Sequence, residues 1–277
     1  MNEKSVISLL GCGWLGFPLA INLLSEGYRV KASTTTREKL KALDIAGIDP
    51  YLVQFSSSAP APDLKKLLDA KTLIINIPPG RNNPDGFGNY RQMVRSVCEA
   101  IPDSDISRII LISSTSVYSD SNTTMTEKSD IAPDTDSGRL MAETEAVFAN
   151  LPIKVIILRL AGLIGPQRMP GRFFAGKTEI PNGWAPVNLI HRNDVVRMIQ
   201  QLIENKNASG IYNGCAPSHP SRSEFYTLAA EIENMEPPHF IPEKKHWKII
   251  ESMRVENELG FEFEFPSLMQ FLQNSRS

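Results

Sequence analysis

The sequence has few cysteines, no long apolar run and little net charge, and each absence excludes a class of protein. The three cysteines, Cys12, Cys98 and Cys215, lack metal-ligand spacing, so we expect reduced thiols and no metal site. No apolar run approaches the roughly 20 residues that span a bilayer, so no membrane partner is expected. A net charge of −2 argues against nucleic acid as a partner. Residues 1–4 leave no room for a signal peptide before the first apolar segment, which predicts a cytoplasmic protein.

What the sequence does contain is a glycine turn near its start, within an ordinary globular composition. An apolar run over residues 6–10 predicts a buried strand, Gly-x-Gly-x-x-Gly follows it, and an apolar helical pattern continues to Gly27. In this context the motif is typical of a dinucleotide-binding turn, because it lets pyrophosphate approach the backbone at a helix N-terminus. The residues predicted to bind the dinucleotide here are Gly11, Gly13, Trp14, Leu15 and Gly16.

The end of the second predicted strand, residues 28–33, bears on which dinucleotide binds. An Asp or Glu about 20 residues past the first glycine would bind the adenosine ribose of NAD. The sequence there is Ser33-Thr34-Thr35-Thr36-Arg37, without an acidic residue. Hydroxyls and a guanidinium suit the 2′-phosphate of NADP, so we favour NADP over NAD and assign Ser33, Thr34, Thr35 and Arg37 to cofactor binding. The alternative is that Thr36 caps the next helix and Arg37 is only solvated.

Strand and helix patterns alternate along most of the chain, which predicts an α/β fold with a Rossmann-type doubly wound parallel sheet. The apolar run at residues 72–77 is typical of a strand buried on both faces. Ligands of such sheets bind beyond the carboxyl ends of the strands. The glycine turn, Pro78-Pro79 and Ser113–Tyr118 all follow predicted strands, so Pro78 and Pro79 are further candidates for cofactor binding.

The pattern changes after residue 165, where a stretch rich in Gly, Pro, Arg and Phe has little periodicity. We predict a dinucleotide-binding domain over residues 1–165, to which residues 187–213 return. Residues 166–186 and 214–277 are predicted to form a smaller C-terminal lobe that binds the substrate.

Several further segments resemble one family and occur in its order. They are Ser113–Tyr118, Leu158-Arg159 with Gly165-Pro166, Asn188–Val195, and Ser252–Val255 before Leu259-Gly260. With the glycine turn they span nearly the whole chain. The chain resembles the extended short-chain dehydrogenase/reductases, a group of nucleotide-sugar epimerases and dehydratases, and within it an atypical bacterial branch that shares the segment Gly171–Lys177. The resemblance implies a nicotinamide cofactor.

In that family a Ser, a Tyr and a Lys carry the chemistry, and the last two are spaced Tyr-x-x-x-Lys. Here Ser114 matches the Ser, whereas Thr135 stands at the Tyr position and Arg139 at the Lys position. An aliphatic hydroxyl is a poor acid or base beside a phenol with a pKa of ~10, and arginine stays charged. Arg139 can still hold the nicotinamide ribose. The candidate catalytic residues are therefore Ser114, Thr135, Arg139 and the nearby phenol Tyr118, whose family counterpart is commonly structural.

Four further residues are candidates for substrate binding. Arg172 and Lys177 could bind an anionic group such as a diphosphate, or could be solvated loop charges. His191 and Arg254 match family positions near the substrate, although a structural histidine is the stronger interpretation of His191. By resemblance we also expect a homodimer formed through the helices near residues 89–100 and 137–149.

These features leave more than one function open. The first is an oxidoreductase or epimerase that uses NADP(H), or NAD, on a nucleotide-sugar or another small carbonyl substrate. The second is a sensor or regulatory protein that binds NADP(H) without catalysis, as the lost Tyr and Lys would allow. A reductase of aldehydes or imines, which needs only hydride delivery and a weak proton donor, lies between them. We favour an enzyme.

Overall fold

The computed structural model describes residues 5–55, 63–80 and 85–275. Residues 1–4, on which the signal-peptide prediction rests, lie outside the described residues. Within the described part of the chain, no helix is long and apolar enough to cross a membrane. The same residues contain no cluster of His, Cys, Asp and Glu that could hold a metal ion.

Strands and helices alternate over residues 6–114, as the sequence predicts. The strands are β1 (Val6–Leu10), β2 (Arg29–Thr34), β3 (Asp49–Leu52), β4 (Thr72–Ile75), β5 (Arg108–Ser114), β6 (Thr123–Met125), β7 (Lys154–Leu160), β8 (Gly162–Ile164), β9 (Leu189–His191), β10 (Gly210–Gly214) and β11 (Lys248–Ile250). The helices are α1 (Gly16–Ser25), α2 (Lys39–Ile45), α3 (Leu64–Leu67), α4 (Gly86–Ala100), α5 (Asp136–Ala149), α6 (Arg192–Glu204), α7 (Arg222–Ile232), α8 (Met253–Leu259) and α9 (Leu268–Asn274).

Seven strands form one parallel sheet in the order β10-β7-β5-β4-β1-β2-β3, which confirms the predicted fold class. All four residues of β4 are buried, as expected for a strand covered on both faces. The strand order reverses between β1 and β4, which pair side by side. In a doubly wound sheet the crevice beyond the carboxyl ends of such a strand pair is where ligands bind.

The chain divides into two compact units. Unit 1 comprises residues 1–113, 135–158 and 207–211, and unit 2 comprises residues 114–134, 159–206 and 212–277. This division differs from the predicted domains, which placed residues 114–134, 159–165, 187–206 and 212–213 with the dinucleotide-binding part.

Each unit has its own core. In unit 1 the buried strands β1 and β4 pair in the sheet, and helix α1 buries its own apolar face. In unit 2 a cluster built on α7 and α9 includes Phe225, Leu268 and Leu272, each fully buried.

Candidate functional site

The glycine turn of unit 1 follows β1 at the point where the strand order reverses. Gly11 has a φ of +108°, which disfavours any side chain, and a Cβ there would lie 2.6 Å from the carbonyl oxygen of Asn76. A Cβ at Gly16 would overlap the carbonyl oxygen of Gly11. At Gly13, by contrast, a Cβ would meet nothing within 4 Å. Two glycines are thus required for packing, while Gly13 leaves open space beside its backbone.

The turn leads directly into helix α1. The N–H of Phe17 donates to the carbonyl oxygen of Gly13 at 2.9 Å, and the first turn of α1 contains no acidic residue. Trp14 is half-buried, whereas the side chain of Leu15 is 4% exposed and packs in the core. Unpaired N–H groups and the partial positive charge of a helix N-terminus make this a suitable place for a phosphate.

Asn76, which sequence reasoning missed, holds the glycine turn in place. Its backbone N–H donates to the carbonyl oxygen of Leu10 at 2.8 Å, and its Nδ2 donates to that of Gly11 at 3.1 Å. One side chain therefore ties the end of β4 to the turn that follows β1. The signal in the sequence is a lone amide that interrupts an otherwise apolar run.

At the end of β2, the structure separates the predicted cofactor residues into two pairs. Ser33 is 2% exposed, and its Oγ accepts a hydrogen bond from the N–H of Gly11 at 2.9 Å. The Oγ1 of Thr34 accepts from the N–H of Thr36 at 3.1 Å. Both hydroxyls accept hydrogen bonds within the fold, and their predicted contact with the cofactor stays a prediction. Thr35 and Arg37 are exposed and stay predictions.

The alternative role of Thr36 is wrong, because the residue that caps α2 is Glu38, without a side-chain hydrogen bond. Pro78 is exposed and Pro79 half-buried in the loop after β4, on the same edge as the glycine turn. Their predicted contact with the cofactor stays a prediction.

Thr135 and Arg139, also in unit 1, lie at the start of α5. The Oγ1 of Thr135 accepts a hydrogen bond from the N–H of Gly138 at 3.1 Å, so Thr135 is the N-cap of the helix. Arg139 pairs with Asp136 at 2.6 Å, and its side chain is 52% exposed. The hydroxyl at the expected tyrosine position therefore caps the helix, and its predicted part in catalysis stays a prediction.

Ser114, in unit 2, caps a short 3₁₀ turn at Thr115–Val117. Its Oγ accepts from the N–H of Ser116 at 3.1 Å, which leaves the hydroxyl hydrogen available to a ligand. The Oγ of Ser116 is buried without a hydrogen-bond partner among the described residues. Two neighbouring hydroxyls thus retain donor capacity, and sequence reasoning identified only the first.

Tyr118 is a structural residue, which corrects its assignment as a candidate proton donor. It is 1% exposed, and Arg159 donates a hydrogen bond to its Oη at 2.8 Å. The Oη itself lies within donating distance of the carbonyl oxygen of Thr126, at 3.1 Å, and of Oδ1 of Asn213, at 3.0 Å. Burial raises the pKa of the phenol, and the charge of Arg159 opposes that rise only in part. The phenol therefore keeps its proton near pH 7 and donates it within this buried hydrogen-bond network.

His191 is also structural. It is 3% exposed, its Nδ1 accepts from the N–H of Asn193 at 3.3 Å as the N-cap of α6, and its ring centre lies 3.8 Å from that of Phe265. Burial first, and then the charge of Arg192, lower the pKa of His191 to about 4. The ring is therefore neutral near pH 7, as a structural histidine would be, and its role in substrate binding stays a prediction.

Of the three basic substrate candidates, one is committed to another partner. Arg254 forms two hydrogen bonds of 2.6 Å to the carboxylate of Glu258 and lies over the ring of Tyr212. Its fork is therefore engaged by Glu258, and its predicted contact with a substrate anion stays a prediction. Arg172 is exposed, and Nζ of Lys177 lies 3.3 Å from the carbonyl oxygen of Phe173. These two stay predictions.

Comparisons with known proteins agree with this architecture. No protein-family model matches the chain. Protein YeeZ of Escherichia coli (strain K12) is 43% identical over 265 residues, which cover 94% of this chain and 96% of YeeZ. A short-chain dehydrogenase/reductase superfamily protein from Agrobacterium tumefaciens with bound NAD matches with a TM-score of 0.80 at 14% identity, over 98% of this chain and 96% of that one. UDP-glucuronic acid 4-epimerase from Bacillus cereus, in complex with NAD, matches with a TM-score of 0.79 at 18% identity, over 98% of this chain and 95% of that one.

At these identities the solved structures establish the fold, and the match to YeeZ over almost both whole chains establishes the family. The chain belongs to the same family as Protein YeeZ of Escherichia coli.

Proposed function

We propose that this protein is an NAD(P)-dependent oxidoreductase of the epimerase type that acts on a nucleotide-sugar or another small carbonyl substrate. The observation that carries the proposal is the glycine turn, packed tightly at Gly11 and Gly16 and open at Gly13. Solved structures of the same fold support it, since one of them, WbmG from Bordetella bronchiseptica, is a complex with NAD and UDP.

The residues of this chain support only part of the family's chemistry. A bound nicotinamide dinucleotide would supply hydride transfer. Ser114 can donate a hydrogen bond that polarises a carbonyl, because its Oγ accepts from Ser116 and keeps its own hydrogen free. The aliphatic hydroxyl of Thr135 and the guanidinium of Arg139 do not exchange protons near neutral pH. The proposed activity therefore runs without the family's Tyr-x-x-x-Lys pair.

A second candidate function, a sensor that binds NADP(H) without catalysis, is favoured by a separate observation. The two side chains nearest to a family acid or base, Thr135 and Tyr118, are engaged in capping and in a buried hydrogen-bond network. Turnover distinguishes the two functions. Oxidation of NADPH, or interconversion of sugars, with a panel of UDP-sugars and small aldehydes supports the enzyme, whereas tight dinucleotide binding without turnover on the whole panel supports the sensor.

For the cofactor we propose NADP, because the end of β2 has no acidic residue and presents Thr35 and Arg37 to solvent. A guanidinium binds a 2′-phosphate with about 1.5–3 kcal/mol in charge-assisted hydrogen bonds. NADPH should therefore raise the melting temperature more than NADH at equal concentration, and Arg37→Ala should remove that difference. Arg29→Ala, an exposed arginine at the opposite end of β2, is the matched control. Equal shifts with both cofactors in the wild type would refute the preference for NADP.

For assembly we propose a homodimer formed through α4 and α5. An apolar groove between these helices of unit 1 is lined by Val94, Leu140 and Val147 and bordered by the Arg91–Glu143 ion pair of 3.2 Å. Val147 is 45% exposed. Analytical ultracentrifugation should show a dimer that Val147→Glu dissociates, and a monomeric wild type would refute the proposal.

A further inference from the structure

Arg222, at the start of α7 in unit 2, is a half-buried cation in an aromatic setting. Its Cζ lies 5.1 Å from the ring centre of Phe174 and 5.5 Å from that of Phe240. Its Nη1 donates to the carbonyl oxygen of Pro181 at 3.0 Å. Burial lowers the pKa of the guanidinium, because partial loss of hydration disfavours its charged form.

The charge of Arg222 has no carboxylate partner among the described residues. Asp120 acts on it only from a distance and is itself paired with Lys248 at 3.0 Å. A guanidinium carries five N–H donors, and the carbonyl of Pro181 takes one of them. Desolvating a charge without a counter-ion is costly, so such a residue is expected where a ligand supplies the counter-charge.

Two other arginines of unit 2 lie near an aromatic ring and also pair with a carboxylate. Arg197 lies 5.3 Å from the ring centre of Phe261 and pairs with Asp194 at 3.5 Å. Arg254 likewise lies over an aromatic ring and is bound by a carboxylate. Each of these two ring-stacked arginines has a carboxylate partner, and Arg222 differs from both.

A second cation lies on the same aromatic cluster. Nζ of Lys177 is 5.4 Å from the ring centre of Phe174, whose other neighbours are Tyr226 at 4.7 Å and Phe240 at 5.6 Å. Within the described ranges, Lys177 has no ion pair either, and it contacts only the carbonyl of Phe173 among acceptors. Two cations without counter-ions among the described residues thus lie near the same ring, that of Phe174.

We infer that Arg222 binds a phosphate group of the substrate and that Lys177, whose Nζ lies near the same ring of Phe174, contributes to the same site. The inference rests on the proposed function for the identity of that substrate, a nucleotide-sugar. The guanidinium fork of Arg222 matches two phosphate oxygens, and the ammonium of Lys177 adds a point charge. Arg222 then sets specificity for substrates that carry the phosphate group.

The test is calorimetric titration of the full chain, saturated with NADP⁺, with UDP and with uridine. Arg222→Gln should raise the Kd for UDP about tenfold or more, since a charge-assisted hydrogen bond to phosphate is lost. Arg222→Lys should restore part of the affinity, and Lys177→Gln should weaken UDP binding to a smaller extent. Uridine, which lacks phosphate, should bind all variants equally. Arg197→Gln, which removes a ring-stacked arginine that already has a carboxylate, should bind UDP as the wild type does.

Equal binding of UDP by the wild type and Arg222→Gln, with an unchanged melting temperature, would overturn the inference. Binding of NADP⁺ without any binding of UDP by the wild type would overturn it as well, while leaving dinucleotide binding intact. If UDP binding depends on Arg222 but no UDP-sugar is turned over, the phosphate site stands and the proposed enzymatic function fails. Should Arg222→Gln not fold, Arg222→Lys and Lys177→Gln decide the outcome by the same titration.

Discussion

Replacing Gly13 by alanine should abolish dinucleotide binding without harming the fold. A Cβ at Gly13 meets no heavy atom within 4 Å, and Gly13 is not among the glycines with positive φ. The substitution restricts the unfolded chain, so we expect a gain of about 0.4–1 kcal/mol in the free energy of unfolding. The same methyl group fills the open space through which a pyrophosphate would approach the backbone.

The expected loss of binding has a defined magnitude. A ligand at a hundredfold excess over its Kd stabilises the native state by about 2.7 kcal/mol. Urea unfolding with and without NADPH should show this gain for the wild type and none for Gly13→Ala. Because the variant starts slightly more stable than the wild type, a smaller response to NADPH cannot be attributed to partial unfolding.

Gly16→Ala is the matched control, since its Cβ would overlap the carbonyl oxygen of Gly11. Forcing atoms into a packed site costs about 1–3 kcal/mol, so this variant should lose stability even without cofactor. The reasoning would be refuted if Gly13→Ala kept the full response to NADPH. It would equally be refuted if Gly13→Ala lost as much stability as Gly16→Ala.

Two further predictions concern residues with structural roles. Thr135→Ala removes the N-cap of α5 and should lower the free energy of unfolding by about 1 kcal/mol. The kcat of any measured reaction should stay within roughly twofold of the wild type. A much larger loss of kcat at normal stability would indicate that Thr135 takes part in catalysis. Burial lowers the pKa of His191 from 6.5 to about 4, so the unfolded state binds more protons between these pH values and wild-type stability should fall as the pH drops through them. His191→Asn keeps a capping side chain that does not titrate and should flatten this dependence in urea unfolding, and an unchanged slope would contradict the origin assigned to it.

The sequence was sufficient for the fold and for the cofactor turn because both depend on local patterns. A buried parallel strand requires an apolar run, as at Thr72–Ile75, and the close contacts of Gly11 and Gly16 exclude every other residue type. Such constraints act on neighbours in the chain or on backbone shape. They are visible before any contact is known.

The side-chain roles were harder to predict because they depend on partners distant in sequence. Tyr118 is fixed by Arg159 and Asn213, which lie 41 and 95 residues away. Arg222 is a candidate binding residue because no carboxylate among the described residues pairs with it. Neither property can be deduced from the identity of the residue or from a motif.

The substitution at the family's tyrosine position has a local physical explanation. Helix α5 begins with Thr135, whose side-chain oxygen satisfies the N–H of Gly138, and a tyrosine hydroxyl is too far from its own backbone to do the same. Threonine therefore stabilises the helix start where the family places its acid–base group. At the glycine turn, by contrast, any side chain at Gly11 or Gly16 would collide with backbone atoms. Backbone packing therefore requires glycine at these two positions, whereas Thr135, at the family's tyrosine position, has a role in folding.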